Sequence, residues 1–483
     1  MIRPAVLANF LGKSLLGLAA VMLLPAMFGL FGEGDDPLPS AYALLITAAT
    51  GAVLAFLTRH RQAELSLREG LLLAVAIWFS TCLFGCLPFY FSPHFLTFTD
   101  AFFESASGFT TTGATVLSKV EVLSPSVQLW RCATHWFGGM GILVLVIAIL
   151  PLLGAGGMHL YRAEFSGAKS DRLKPRVTET ALSLWKIYVA LTLVEFVALR
   201  IAGMNSFEAL CHAFSTLGTG GFSTRTASIA GFDSAAIEFI IIGFMLLAGI
   251  NFTRHYRLWV ERQPRSFLFD TEIRAYALVF ALATLLIFGT LVGSGGYEPY
   301  RAFRAAMFQT ASILTSTGFA TEDFEQWRPF AQLLLLSLMF VGGCTGSTAG
   351  GLKVARIVML LRVVQRELKR ITERRGVFAI RMGAHTVPEN AIQAALNIFY
   401  LAFMVNFAAS LLLTAAGIDL LTSISAVAAC MFNIGPGLGD VGPAEHYGHL
   451  PLFAKWVLVM SMLAGRLEFY TLLVIFTPPF WRK

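Results

Sequence analysis

Long apolar runs, separated by short polar or glycine-rich segments, fill nearly the whole chain. An α-helix needs about 20 apolar residues to cross the hydrocarbon core of a bilayer, and many of the runs have this length. The pattern predicts ten spans, and because ten is even it places both termini on the same side of the membrane. We place the spans at residues 8–31, 40–58, 70–92, 128–153, 181–203, 234–252, 273–293, 330–365, 389–416 and 450–477, of which only 330–365 is expected to be broken.

A short glycine-rich, mostly hydroxyl-bearing motif recurs four times between the apolar runs. Each copy follows a short segment of aromatic and small residues, which in the first copy is Thr97–Gly108 and is expected to re-enter the membrane. The marker glycines of successive copies are 107, 98 and 117 residues apart when Gly220 is taken for the second copy. A period near 100 residues indicates a repeat of whole supersecondary units. The copies are Ser107–Thr115, Ser215–Thr224, Ser312–Thr321 and Cys430–Gly439.

These two patterns together predict the fold class. We expect an all-α polytopic membrane protein with four parallel helix–pore-loop–helix repeats around one pore, preceded by a two-helix N-terminal segment. The N-terminal segment is predicted to serve packing or an accessory role. The predicted boundaries are 1–69 for this segment and 70–158, 180–260, 270–376 and 385–483 for the four repeats.

The chemistry of the four loops favours a monovalent cation. Non-helical backbone at membrane depth is tolerated only where it is buried in protein or lines water, and rings of backbone carbonyls can replace the hydration shell of an ion. None of the four loop cores contains Asp or Glu, so neutral oxygens are the expected ligands. Small-residue packing between helices is the alternative for one copy, and four matched copies disfavour it. The candidate filter residues are Thr111, Thr112, Gly113, Thr219, Gly220, Gly221, Thr317, Gly318, Asn433, Ile434 and Gly435.

The third repeat contains a second glycine-rich segment, Gly342–Gly351, in the middle of a predicted span. It has five glycines in ten residues. Each glycine costs a helix near 1 kcal/mol relative to alanine, so a straight helix is not expected here. We interpret the segment as a gate below the filter, with Gly346, Ser347, Thr348 and Gly350 as its candidate residues; a passive kink is the alternative. The cationic helix at 353–375 follows it and would act as a lever.

Two further polar residues lie inside predicted spans. An intramembrane arginine is costly and indicates function. Arg466 is therefore a candidate gate residue, which either is neutralised by Glu468 or another carboxylate or faces the cavity below the filter. His135 is expected to be a hydrogen-bonded residue at a helix interface, with an ion or proton site as the alternative. The glycines that follow it are expected to allow close helix packing.

Composition and charge complete the prediction. Only 13% of residues are charged and 56% are hydrophobic, whereas soluble domains carry about 25% charged residues. Most of the 36 Lys and Arg residues fall on the side of the predicted termini. The positive-inside rule therefore places both termini in the cytoplasm and the glycine loops toward the outside. The first span lacks a cleavage site and is expected to be retained. The six cysteines form no disulfide or metal pattern, and no catalytic cluster indicates an enzyme.

Several motifs of this chain resemble those of the bacterial TrkH potassium uptake proteins, in the superfamily that also contains KtrB and the plant HKT proteins. The resemblance covers essentially the whole chain. The motifs are Phe109–Val116, His135–Gly141, Gly220–Thr224, Gly342–Lys353, Gly435–Gly439 and Gly465–Glu468.

The resemblance implies one pore per subunit, selective for potassium and permeable to rubidium, in a homodimer in the bacterial inner membrane. It also implies a cytosolic ring of TrkA subunits that bind nucleotides and control the gate. No covalently bound cofactor and no nucleic-acid partner are expected, whereas membrane lipid is. One glycine per repeat would line the filter, which maps to Gly113, Gly318 and Gly435; in the second repeat the sequence leaves Gly220 and Gly221 open.

The favoured function is passive, gated conduction of potassium. The alternative is a symporter that couples potassium to protons or sodium. Such transporters often show inverted repeats and buried carboxylates near the membrane midplane. Here the predicted repeats are parallel, and Glu195 and Glu468 are the main candidate buried acids.

Overall fold

A computed structural model describes residues 2–31, 36–60, 65–149, 177–373, 376, 378–383 and 385–482. The acidic turn at 32–35 and the basic linker at 161–176 lie outside these residues. For the linker the sequence predicts a topology signal, with binding of anionic lipid or of a soluble acidic partner as the alternatives. The α-helices are α1 Pro4–Phe31, α2 Leu38–Leu57, α3 Leu67–Gly85, α4 Leu87–Tyr90, α5 Phe98–Phe109, α6 Pro125–Ile149, α7 Val177–Ile201, α8 Ser206–Leu217, α9 Ala235–Ala248, α10 Phe252–Trp259, α11 Pro264–Leu268, α12 Thr271–Gly293, α13 Pro299–Leu314, α14 Pro329–Val341, α15 Val354–Thr372, α16 Glu389–Ala415, α17 Leu420–Met431, α18 Leu452–Arg466, α19 Tyr470–Leu473 and α20 Pro478–Trp481.

The remaining regular structure is small. The strands β1 Arg381–Met382 and β2 His385–Thr386 pair antiparallel, with Arg381 opposite Thr386. Short 3₁₀ turns cover Ser228–Phe232, Phe324–Gln326, Tyr447–His449 and Val474–Phe476. The described chain is thus nearly all-helical, and the predicted all-α class is confirmed.

Six helices of the described chain are long and apolar enough to cross a membrane: α1, α2, α3 continued by α4, α7, α12 and α16. Two bent pairs, α9 with α10 and α18 with α19, would raise the number to eight. The two other predicted spans correspond to α6, which reaches the edge of the described residues, and to α14 and α15, which are separated by the expected break. The protein is therefore a polytopic membrane protein.

The prediction of a continuous span at 234–252 is wrong. α9 ends at Ala248, and the chain turns by 100° into α10. A side chain at Gly249 would come within 2.5 Å of the Tyr276 hydroxyl, and Asn251 caps α10 by accepting the Thr253 N–H at 2.8 Å. The carbonyl of Gly249, just beyond α9, accepts a tertiary hydrogen bond, 2.8 Å long, from the N–H of Cys344.

The prediction of a continuous span at 450–477 is also wrong. α18 ends at Arg466, and a bend of 113° leads into α19. Glu468 and Phe469 have φ angles of 56° and 52°. Left-handed backbone at two consecutive residues that are not glycine ends a right-handed helix. All three interrupted helices thus break near the same buried region.

Four short helices, α5, α8, α13 and α17, lie in the middle of the fold. Three begin at a capping side chain: Thr97, Asn205 and Asp419 each accept a backbone N–H three residues later. The fourth begins at Pro299, which suits the first helical position. Most of their residues are buried, as in α5, where every position from Asp100 to Phe109 is buried. The segment expected to re-enter, Thr97–Gly108, is therefore α5 almost residue for residue.

The N-terminal pair α1 and α2 packs through small residues. A Cβ on Gly12 would lie 2.6 Å from the backbone nitrogen of Ala55, and a Cβ on Gly51 would lie 3.0 Å from the carbonyl oxygen of Gly12. Such contacts let two helix backbones approach closely. Arg3 then joins this pair to α3 through an ion pair with Glu69 at 2.7 Å.

Candidate ion-conducting site

Each of the four short helices ends in a loop with the same backbone conformation. Two residues in each loop have positive φ, separated by one ordinary residue. The backbone N–H of that middle residue donates to the carbonyl five residues earlier, at 2.8–2.9 Å in all four loops. The positive-φ pairs are Thr111 and Gly113, Thr219 and Gly221, Ser316 and Gly318, and Asn433 and Gly435.

The four loops form a closed ring. A Cβ on Gly113 would overlap the carbonyl oxygen of Gly220, which belongs to the second loop. The same holds between the second and third loops, between the third and fourth, and between Gly435 and the Thr112 carbonyl of the first loop. Each marker glycine therefore lies against a carbonyl of the next loop, and the four carbonyl-bearing residues are Thr112, Gly220, Thr317 and Ile434.

The ring separates the roles of the two adjacent glycines in the second loop. Gly221 has φ +81° and overlaps the Thr317 carbonyl, so it matches Gly113 and the other marker glycines. Gly220 matches Thr112 and contributes a carbonyl to the ring. It must be small for a different reason, because a Cβ there would overlap the ring of His135.

His135 is a buried helix-interface residue, as expected. Its ring stacks on Phe222 with centroids 4.0 Å apart, and its Nδ1 accepts the Phe222 N–H at 3.4 Å. The glycines that follow it allow close approach: a Cβ on Gly138 would overlap the carbonyl of Phe109, and one on Gly139 would lie 2.8 Å from the Cα of Gly218. This part of α6 therefore supports the first and second loops from behind.

Hydroxyl and amide side chains connect the loops at their base. The hydroxyl groups of Thr110 and Thr112 lie 2.8 Å apart, and those of Thr315 and Thr317 lie 2.7 Å apart. Asn433 joins the fourth loop to the first by donating to the Thr112 hydroxyl at 3.0 Å. These side chains use their polar atoms on one another, whereas the buried hydroxyl of Thr111 has no hydrogen-bond partner among the described residues.

Electrostatics at the ring favour a cation without a carboxylate. The short helices all end at the ring, so the negative ends of their dipoles converge on the space below it. No Asp or Glu belongs to the predicted filter residues, whose positions are all described. The arrangement resembles a site in which neutral carbonyls replace the water of a monovalent cation.

Open space lies on both sides of the ring. The recess, on one side, is lined by all four marker glycines together with Arg131, Arg225, Glu445 and His446. Burial and the neighbouring His449 lower the pKa of His446 below its ordinary value, so it is neutral near pH 7. The cavity, on the other side, is lined by residues of the segment between α14 and α15 and by Asn433, Arg466 and Glu468.

The segment between α14 and α15 runs directly beneath the ring. The N–H of Gly350 donates to the Ser316 hydroxyl at 2.5 Å, and a Cβ on Gly350 would overlap the carbonyl of Phe432. The segment thus contacts the third and fourth loops from the cavity side. The candidate gate residues Gly346, Ser347 and Thr348 lie beside the bend after α9. There the N–H of Phe252 donates to the Gly346 carbonyl at 3.1 Å.

A carboxylate that sequence reasoning did not single out holds both ends of this segment. One oxygen of Glu272 accepts the N–H and the hydroxyl of Thr345 at 2.6 and 3.0 Å. It also accepts the N–H of Ala355 in the first turn of α15, at 3.2 Å. Glu272 stands in the first turn of α12, so a long apolar helix anchors the segment and the helix that follows it.

Arg466 is not paired with Glu468. Its Nη1 donates to the Thr348 carbonyl and its Nη2 to the Gly138 carbonyl, both at 3.0 Å. Glu468 instead pairs with Arg356 at 3.0 Å. Among the described residues Arg466 has no ion pair with a carboxylate, it is buried, and it lines the cavity. Of the two alternatives left open by the sequence, the cavity-facing one matches this geometry.

Side chains that brace the ring were also missed. Glu104, His212 and Gln309 each precede the marker glycine of their loop by nine residues, and each bonds to the chain that leaves the loop. In the fourth loop Ser425 does so from ten residues before. An alignment of the four copies could have revealed these residues, because a polar residue recurs at nearly the same spacing in otherwise apolar short helices.

Comparisons with known proteins agree with this geometry. The family model TrkH, described as a cation transport protein, matches residues 40–483. The Trk system potassium uptake protein TrkH of Vibrio parahaemolyticus is 43% identical over 470 residues, covering 96% of each chain. TrkG of Escherichia coli, another Trk system potassium uptake protein, is 34% identical over 465 residues, which is 96% of this chain and 95% of that protein. The crystal structure of the potassium transporter TrkH from Vibrio parahaemolyticus superposes with a TM-score of 0.92 at 41% identity and covers 100% of both chains.

Proposed function

The chain belongs to the TrkH family of cation transport proteins, a family of transporters and not of enzymes, and from this we propose that it takes up potassium through a gated, selective pore. The observation that carries the proposal is the ring of four loops. Four marker glycines each lie against a carbonyl of the next loop, so the carbonyls of Thr112, Gly220, Thr317 and Ile434 lie at the four junctions of one closed ring. Neutral carbonyls in a ring suit potassium, and a filter of this kind would also admit rubidium, which is similar in size.

Within this proposal the filter residues have different roles. The carbonyls of the ring coordinate the ion, and the preceding residues Thr111, Thr219 and Asn433 turn the backbone into it with φ angles of 53–56°. The marker glycines Gly113, Gly221, Gly318 and Gly435 leave room for the neighbouring carbonyl. The ion is cargo and not a resident cofactor.

The segment between α14 and α15 is the proposed gate. It lies across the cavity side of the ring. Its N–H groups donate to Ser316 and Glu272, and it accepts a hydrogen bond from Arg466. Arg466 adds a fixed positive charge beside the ion path, which raises the barrier for cations while the gate is closed. Because α15 continues from the segment, a force on α15 would move the gate.

The setting of the pore follows from the family relationship and the charge pattern. We propose an inner-membrane protein with both termini and α15 in the cytoplasm and with the recess facing outward. A homodimer, contact with membrane lipid and a TrkA-type cytosolic ring that binds nucleotide on its own subunits complete the proposal. The related proteins are named as parts of a Trk system, which supports a multi-component arrangement.

Ion flux into proteoliposomes tests the function. Purified protein is reconstituted, and uptake of potassium, rubidium and sodium is measured under a set gradient, with the Gly113→Ser variant in parallel. A pore predicts flux that dissipates the gradient, favours potassium over sodium and loses this preference in the variant. Uptake that requires an imposed proton or sodium gradient would contradict the passive pore and support a symporter.

A further inference from the structure

An ion pair lies buried behind the ring. The Nε of Arg131 is 2.6 Å from a carboxylate oxygen of Glu104, and the side chains are 3% and 0% exposed. Two charges removed from water are stabilised only when their geometry and their remaining hydrogen bonds are good. The other contacts of Glu104 and Arg131 therefore decide whether this buried ion pair is stable.

The glutamate holds the first loop. Glu104 stands on α5 and accepts the hydroxyl of Thr115 at 2.9 and 3.1 Å and the N–H of Val116 at 3.0 Å. These residues lie two and three positions after Gly113. The carboxylate thus fixes the chain at the point where it leaves the ring.

The arginine holds the second loop. Arg131 stands on α6 and donates to the Ser223 carbonyl at 3.0 Å, and its guanidinium lies 3.5 Å from the centroid of the Phe222 ring. Ser223 lies two positions after Gly221. The ion pair therefore connects the first loop to the second at equivalent positions.

The braces of the other loops differ from this one. His212, Gln309 and Ser425 each bond within their own loop, and none of them carries a carboxylate. Among the described residues only the brace at Glu104 is an ion pair that reaches a neighbouring loop through its partner. An ion pair thus links the first and second loops behind the ring, whereas the other braces are local.

We propose that Glu104 and Arg131 are positioning residues that determine the selectivity of the pore for potassium over sodium. They set the separation of the Thr112 and Gly220 carbonyls, which lie in neighbouring loops of the ring. Selectivity depends on the size of the ring or on the number and mobility of its carbonyls, and loss of the brace changes both. This inference rests on the proposed function.

The test compares ion preference with stability. Glu104→Gln keeps the shape and removes the charge, and Thr115→Val keeps the ion pair and removes one of its hydrogen bonds. The matched control is Glu322→Gln, because Glu322 pairs with Arg301 at 2.8 Å near the third loop but the arginine side chain is 61% exposed. The potassium-to-sodium flux ratio in proteoliposomes and the unfolding temperature are measured for each variant.

We expect the flux ratio to fall about tenfold in Glu104→Gln, equivalent to about 1.4 kcal/mol, with potassium still conducted. Thr115→Val should lower the ratio less, and the control should retain it. The proposal is wrong if the potassium-to-sodium flux ratio of Thr115→Val equals that of the wild type. If Glu104→Gln folds, its ratio must then also equal the wild-type value, and the ion pair only stabilises the fold. Wild-type protein without a preference for potassium would instead contradict the proposed function.

Discussion

At the scale of single residues, the marker glycines are required by contacts between loops. Gly221 combines φ +81° with a neighbouring backbone oxygen in the place where a Cβ would stand. Left-handed backbone costs a residue with a side chain about 1–2 kcal/mol, and a backbone oxygen cannot move aside as a side chain can. The requirement is therefore set by the neighbouring loop as much as by the residue itself.

Gly221→Ser is expected to reduce the potassium-to-sodium flux ratio about as strongly as Gly113→Ser, because each substitution displaces a carbonyl of the ring, that of Thr317 or that of Gly220. Proteoliposome flux with both ions measures the effect. Gly289→Ala is the control, because a Cβ on Gly289 in α12 would meet no other atom within 4 Å. If wild type and Gly221→Ser have the same potassium-to-sodium flux ratio, Gly221 is not part of the filter.

At the scale of elements, three interrupted helices meet below the ring. The bend after α9, the bend after α18 and the segment between α14 and α15 exchange hydrogen bonds, for example from Cys344 to the Gly249 carbonyl. Backbone groups freed by one interruption are thus satisfied by another, which buried polar groups in a membrane require. The segment between α14 and α15 is therefore part of a packed unit and not a free loop.

Glu272→Ala is expected to raise potassium flux, because the segment can leave the cavity only after its bonds to this carboxylate break. The net contribution of one hydrogen bond is about 0.5–1.5 kcal/mol, so loss of these bonds is expected to increase flux about tenfold or more where the open state is rare. Proteoliposome flux measures the change, with the exposed Glu261→Gln as control. Unchanged or lower flux from a variant with normal thermal stability would show that Glu272 does not hold the gate closed.

At the scale of the whole molecule, the N-terminal pair α1 and α2 packs against the helices around the ring of loops. α1 and α2 contribute no residue to the recess or to the cavity within the described chain. Their close contact at Gly12 and Gly51 is a packing contact, and α1 also packs against α3 and α6. The position of α1 and α2 agrees with the packing or accessory role expected for the N-terminal segment.

Gly12→Val is expected to lower the unfolding temperature and to leave the potassium-to-sodium flux ratio unchanged. Overpacking of a close contact costs about 1–3 kcal/mol. Thermal unfolding in detergent measures the first effect and proteoliposome flux the second. Gly17→Val on the same helix is the control, because a Cβ at Gly17 meets nothing within 4 Å. An altered flux ratio in Gly12→Val would assign the pair a part in conduction.

The helical membrane fold, the four loops and the interruption between α14 and α15 could all be predicted from the amino-acid sequence. These features follow from local causes, namely the length of apolar runs and the cost of glycine in a helix. The candidate filter residues stay a prediction as well; the sequence singles them out because each copy of the motif carries its own glycine and polar groups. The domain boundaries and the sidedness stay predictions.

How these parts are joined depends on the tertiary structure. Arg466 bonds to Thr348 and Gly138, which are 118 and 328 positions away, rather than to Glu468 beside it. The bends after α9 and α18, the assignment of Gly220 and Gly221, and the pairing of Glu104 with Arg131 likewise depend on neighbours that are distant in sequence. A pattern along one chain records what each residue favours locally, whereas packing in three dimensions decides which backbone groups and charges meet.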